Sequence, residues 1–244
     1  MIAHDRRGWG GSEAPPSYTR TTVTEQAQDA LALADALGIG RAVFCGIGIG
    51  AVAALDLAVR EPGRVRGAVL VEPPLLALLP EATEGLSADA KALGEAAERG
   101  GISAAAELFA TGGLEHIGPG AARAAAREER SAGAHEAAPL PAAAGETGGP
   151  PDARADSPPT SPAERSPLAL FAEIAAVPGW PLPLSELSDL AVPVSIVTAG
   201  STVPTLRLAA DRLAARIPTA NQIKFEEWDP LAGPELAEVV SETL

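Results

Sequence analysis

The segment Cys45-Gly46-Ile47-Gly48-Ile49-Gly50-Ala51 sets three glycines at alternate positions where an apolar run meets a helical pattern. Glycines at that spacing let a strand turn into a helix over a residue or two and let another group approach the backbone amides there. Two chemistries use such a turn. One holds a nucleophile at the apex, with flanking glycines (here Gly46 and Gly50) to relieve the crowding. The apex here is Gly48, which has no side chain and can form no covalent intermediate. The other is phosphate binding. Gly46-x-Gly48-x-x-Ala51 satisfies the dinucleotide fingerprint, and Glu72 stands at the end of the next apolar run, where a ribose-binding acid would be. That fingerprint normally opens a domain's first strand–helix–strand unit, whereas here a Gly-rich loop and a helix precede it. Close helix–strand packing at a tight turn is the plainer reading of the glycines.

The remaining reactive residues are few. Cys45 is the single cysteine, which excludes an intrachain disulfide and a thiolate cluster; inside an apolar run it reads as a packed, inert thiol. His4, His116 and His135 match no metal-ligand spacing, and neither a metal nor a cofactor is expected. His4 reads as a structural histidine at a strand end, with a residual general base as the rival. Glu72 reads as a structural or ligand-facing carboxylate. Arg6 and Arg7 lie in the Gly-rich stretch Asp5–Ser12 and read as framework rather than as an anion site.

Composition narrows the partners. The chain has 244 residues, 46% hydrophobic but only 3% aromatic, so its core must be built of Ala, Leu and Val. Its 18 Lys and Arg against 32 Asp and Glu give a net charge of −14, which disfavours nucleic acid and anionic membrane as partners. The longest apolar stretch, Gly67 to Leu79, is broken by Glu72-Pro73-Pro74, and no secretory signal pattern opens the chain. A cytoplasmic protein is the expectation.

Apolar periodicity supplies the elements that must position these residues. Met1–His4 reads as a strand stub. Thr24–Leu37 reads as a helix capped by Thr24, Arg41–Cys45 as a buried strand, Ile49–Arg60 as a helix and Val65–Val71 as a strand. Asp89–Arg99, Ser103–Ala110 and Ala121–Arg130 read as Ala-rich helices, the acid-rich Ala88–Arg99 stretch as a solvated face. Gly133–Pro167, rich in Ala, Pro, Gly and Ser, shows no periodicity and reads as a disordered loop. Leu168–Ala176 is a helix, Val192–Thr198 a strand, Pro204–Ile217 a helix, Gln222–Trp228 a strand and Pro234–Thr243 a helix. Strands alternating with helices predict an α/β fold with a mainly parallel sheet. The organisation expected is a core over 1–80 and 168–244, helices over 81–132 and a loop over 133–167.

The order of these segments resembles the α/β-hydrolase superfamily, in particular its cofactor-free haloperoxidase and small esterase branch. Asp5-Arg6-Arg7-Gly8-Trp9-Gly10-Gly11-Ser12 is similar to the loop after that family's fourth strand, Gly46–Gly50 to its nucleophile elbow, and Val69–Pro74 to its next strand. Ala106–Phe109 and Ile117–Gly120 resemble its helical cap, here partial, and Val192–Pro218 its late strand and helix. The resemblance implies a Ser-acid-His triad, and all three positions depart from it. The nucleophile position is Gly48, the acid position Val203, and the base position near Trp228, where Glu227 and Asp229 are the other candidates. A residual site could draw on His4, Glu72 and the Ile49 amide. The family's third strand would normally lie between the fourth strand and the elbow strand, so the sheet reads as incomplete at the N-terminus. Either Met1–His4 pairs with Arg41–Cys45 or the true start lies upstream. The function expected is that of a non-catalytic hydrolase-like protein that binds a small apolar molecule under the cap. Altered hydrolase-descended chemistry and dinucleotide binding are the alternatives.

Overall fold

A computed structural model describes residues 2–13, 18, 20–111, 114, 167–226 and 234–243. The sheet has four strands in the order β1 (Ala42–Ile47), β2 (Val65–Val71), β3 (Val194–Ala199) and β4 (Ala220–Phe225). Every pair is parallel. β2 and β3 are apolar almost throughout and buried, as parallel strands covered on both faces must be.

The helices are α1 (Val23–Ala36), α2 (Ile49–Arg60), α3 (Thr83–Ala110), α4 (Pro167–Ala176), α5 (Leu184–Ser188), α6 (Pro204–Ala214) and α7 (Pro234–Glu242). α1 begins slightly earlier than its apolar spacing suggests. Thr22, not Thr24, is the cap: its hydroxyl accepts from the Glu25 amide at 3.1 Å while the Glu25 carboxylate accepts from the Thr22 amide at 2.8 Å. The Thr24 hydroxyl instead donates to Asp56 at 3.4 Å. α2 is buried over Ala51–Ala58 and lies between α1 and the sheet, so its small side chains permit close packing on both sides. On the opposite face α7 closes on β2 so tightly that a Cβ at Gly67 would stand 2.8 Å from the Thr243 methyl. The Thr243 and Ser195 hydroxyls hydrogen-bond there at 2.7 Å.

Several expectations need correction. Residues 2–4 form no strand and are exposed, so this stub does not pair with β1. β1 runs on to Ile47 and is only half-buried, with Cys45 exposed. Among the described residues it pairs with β2 alone. The two Ala-rich helices before residue 110 are present as expected and meet at the non-helical Gly100 and Gly101, but the first starts earlier, at Thr83. Asp89, placed by sequence on a solvated face, is buried. The short α5 and two tight helical turns, Leu76–Leu78 and Pro80–Ala82, carried no periodic signal. The expected helix over 121–130, the loop over 133–166 and Trp228 lie outside the described residues.

One buried carboxylate ties α2 to its surroundings. Asp56 is 2% exposed and accepts from Trp180 Nε1 and Arg60 Nε, each at 2.7 Å. Arg60 is half exposed, so its ion pair contributes little. The Trp180 N–H is buried, and without a partner it costs about 1–3 kcal/mol. Asp56→Ala should therefore lower stability by about 1–3 kcal/mol, seen as a lower urea midpoint at unchanged slope. A midpoint equal to the parent's would show that Asp56 is not a structural anchor.

Candidate functional site

The carboxyl ends of parallel strands are where open α/β sheets assemble sites, because helices turn away there and leave a crevice. β1 ends at Ile47 and turns into α2 through Gly48 alone, whose backbone is at φ 59°, ψ −122°. Only glycine adopts that conformation without strain. The Gly48 amide donates to the Val71 carbonyl at 2.9 Å, so the apex is fastened to the end of β2. A Cβ built on Gly48 meets no atom within 4 Å: the apex points into open space. A Cβ on Gly46 would run into the Gly50 carbonyl, so this glycine is what lets α2 start against its own strand. The first turn of α2 has no side-chain cap and no acidic residue.

Glu72 caps the end of β2. It is 3% exposed and carries φ +48°, the one non-glycine residue in the left-handed region among those described. Its Oε1 accepts from the Thr202 hydroxyl at 2.5 Å, and that hydroxyl accepts from the Ala199 amide at 2.7 Å. Thr202 lies just after β3, so the pair joins the ends of the two central strands. Sequence singled out Glu72 but missed Thr202, whose partner is 130 residues away. Val203, the acid position by resemblance, is buried and caps α6.

The Asp5–Ser12 loop borders the same crevice. Asp5 accepts from the Gly11 amide at 2.9 Å and folds the loop on itself. Arg6 donates through Nε and Nη2 to Glu173 of α4 at 2.8 and 2.7 Å, and Trp9 Nε1 donates to the same carboxylate at 2.8 Å. The remaining guanidinium nitrogen, Nη1, stands 3.8 Å from where a Gly50 Cβ would be, which brings the loop over the start of α2. Arg7 makes a bidentate pair with Asp29 of α1 at 2.6 Å, and that hydrogen bond raises its pKa further above the usual arginine value. Both arginines thus hold framework, as read. Glu173 carried no signal of its own within an apolar helix.

The structure therefore brings together Gly48, Ile49, Glu72 and Val203 at the strand ends, with Arg6 alongside. His4 is exposed on the loop's entry and ends no strand. Cys45, expected to be packed, is reached by solvent. Its packed strand neighbours still desolvate the thiol enough to push its pKa up to about 11. Among the described residues no group of three His, Cys, Asp or Glu side chains is placed to hold a metal ion.

Comparisons agree with this geometry. Residues 1–101 match the family model described as alpha/beta hydrolase fold. The chain has the α/β-hydrolase fold. It is similar to an alpha/beta hydrolase from Sphaerobacter thermophilus at 21% identity and a TM-score of 0.61, over 98% of this chain and 79% of that one. A thermophilic esterase from Thermogutta terrifontis gives 17% and 0.61, over 98% and 78%. The enol-lactonase from Burkholderia xenovorans gives 19% and 0.59, over 98% and 76%. At these identities the likeness is one of fold. No curated protein matches the chain. No helix among the described residues is long and apolar enough to cross a membrane.

The turn and its neighbouring thiol can each be tested. Gly46→Ala should destabilise far more than Gly48→Ala, because the first meets backbone while the second carries only a conformational strain of about 1–3 kcal/mol. Paired thermal unfolding curves give the order, and the reverse order would contradict this turn. Cys45 should alkylate with iodoacetamide roughly a hundredfold more slowly at pH 8 than in the urea-unfolded chain, because thiolate is the reacting species. Its rate should still be rising through pH 10.

Proposed function

We propose that this chain is a non-catalytic α/β-hydrolase-fold protein that binds a small apolar molecule in the crevice at the strand ends. The observation that carries the reading is Gly48. Its backbone holds the strained strand-to-helix turn that aims a nucleophile, its Cβ direction is open, and it has no side chain to attack with. The neighbouring acid position is filled by an apolar, buried valine. Binding needs only the crevice and its amides, and a fold hosts binding as readily as catalysis.

The test has two parts. No hydrolysis of a p-nitrophenyl ester above background is expected, and activity abolished by an active-site serine reagent would overturn the reading. A thermal-shift screen with small hydrophobic acids should raise the melting temperature, because a ligand that prefers the native state stabilises it. A screen with no response would remove the binding half of the proposal.

Restoring the apex residue should not restore an enzyme. A serine at Gly48 would be aimed correctly, but its hydroxyl stays protonated without a base, and a triad acts as a unit. Gly48→Ser should therefore stay well below about 1 s⁻¹, a low value for ordinary enzymes. Turnover near that rate would reveal a hidden base. His4 would be the first suspect, and His4→Ala in that background would test it.

A second reading rests on Glu72. A non-glycine residue at positive φ stores about 1–3 kcal/mol of strain, and such strain concentrates at functional sites. It supports chemistry of hydrolase descent that uses this carboxylate. Any turnover found in a broad substrate screen should then vanish in Glu72→Gln while the fold persists.

A further inference from the structure

The sheet ends differently on its two sides. β4 presents Asn221, Gln222 and Lys224 to solvent, and Lys224 pairs with Asp211 at 3.1 Å. Polar residues and a lysine on an edge strand discourage pairing with another strand. β1 carries neither. From Ala42 to Gly50 the chain has no charged residue and no proline, although its net charge is −14.

The hydrogen bonds of β1 show which way its backbone groups point. The Ala42 amide donates to the Arg64 carbonyl at 3.1 Å and the Gly48 amide to the Val71 carbonyl at 2.9 Å, so the even-numbered residues turn their backbone toward β2. These groups alternate in direction along a strand, and those of Val43, Cys45 and Ile47 therefore point away from β2. Among the described residues no strand meets them there. The side chains are equally incomplete. Phe44 packs toward α2, while Val43 and Ile47 pack with Val69, Val71 and Val239 on the α7 side. All three remain half-buried, and Cys45 among them is exposed. A parallel strand of this composition is ordinarily covered on both faces. The cover that fits is another apolar strand, because an extended backbone answers donors and acceptors at every second residue.

We propose that the edge of β1 is where two copies of this chain join, as an antiparallel pair of β1 strands about a two-fold axis at Cys45. In this register Cys45 faces the partner's Cys45, and Val43 faces Ile47 of the partner subunit. Each facing pair consists of residues whose backbone points outward, so each exchanges both of its hydrogen bonds. A two-fold axis is the commonest symmetry of homo-oligomers and lets one patch serve both copies. Charge favours this surface over others. The rest of an acidic chain repels its own copy, whereas the stretch from Ala42 to Gly50 brings no like charges together. The joint does not depend on whether the crevice at Gly48 binds or catalyses.

The oligomeric state of the full chain tests it. Sedimentation velocity over a wide dilution series should show a dimer at the concentrated end that dissociates to monomer. Cys45 is the single cysteine, and facing residues of such a pair stand about 5.5 Å apart at Cα. A short bismaleimide should therefore link the two copies into a dimer that survives denaturation. Cys45→Lys sets like charges opposite each other on the axis and should weaken dimerisation by roughly tenfold or more, with the far-UV circular dichroism unchanged. Asn221→Lys on β4 should dimerise like the parent. A monomer at every concentration would overturn the proposal, and slow amide exchange at Val43, Cys45 and Ile47 in that monomer would show that another part of the same chain fills the edge. A dimer that the bismaleimide does not link, or that Cys45→Lys does not weaken, would be joined elsewhere and would overturn it too. Should Cys45→Lys fail to fold, the cross-link in the parent and its absence in Cys45→Ser decide alone.

Discussion

Everything at the candidate site depends on one close approach, that of Gly46 to the Gly50 carbonyl. It lets α2 begin a single residue after β1 ends, so Gly48 must make the whole reversal. A side chain at Gly46 would push the helix off the strand. The apex would then lose its hold on Val71, and the amides of the first helical turn would no longer face the crevice. The other strand ends are arranged around this point. Val71 receives the Gly48 amide, and Glu72 next to it reaches across to Thr202. The geometry is thus a property of backbone and small residues, and it survives without a nucleophile.

The second requirement is to hold a distant loop and helix over that crevice. Glu173 does this as a buried acceptor for three donors of the loop, two from Arg6 and one from Trp9. The geometry satisfies the carboxylate in the way a buried charge must be satisfied, by a bidentate guanidinium and a further N–H.

Much of the fold was legible because parallel strands and their covering helices announce themselves by period. Ile49–Arg60 and Val65–Val71 fall where the apolar spacing places them. The turn at Gly48 was legible because glycine has few other reasons to recur at alternate positions. The features that were not legible share a cause: they depend on partners far along the chain. Thr202 matters only because Glu72 lies beside it, and Glu173 only because of Arg6 and Trp9. Cys45 misled because an apolar neighbourhood in sequence implied a covered strand, whereas β1 lies at the margin of the described sheet.

These long-range partners also answer a problem set by composition. A core with 3% aromatic residues packs through Ala, Leu and Val, whose contacts are many, weak and without direction. Such a core tolerates sliding between layers more readily than one keyed by large rings. Here three junctions are instead fixed by a buried carboxylate: Asp56 between α2 and the segment at Trp180, Glu72 between the ends of β2 and β3, Glu173 between α4 and the loop. Two of the three tryptophans serve these nodes as N–H donors as well as by area. Directional hydrogen bonds to buried charges are strong when complete and costly when broken.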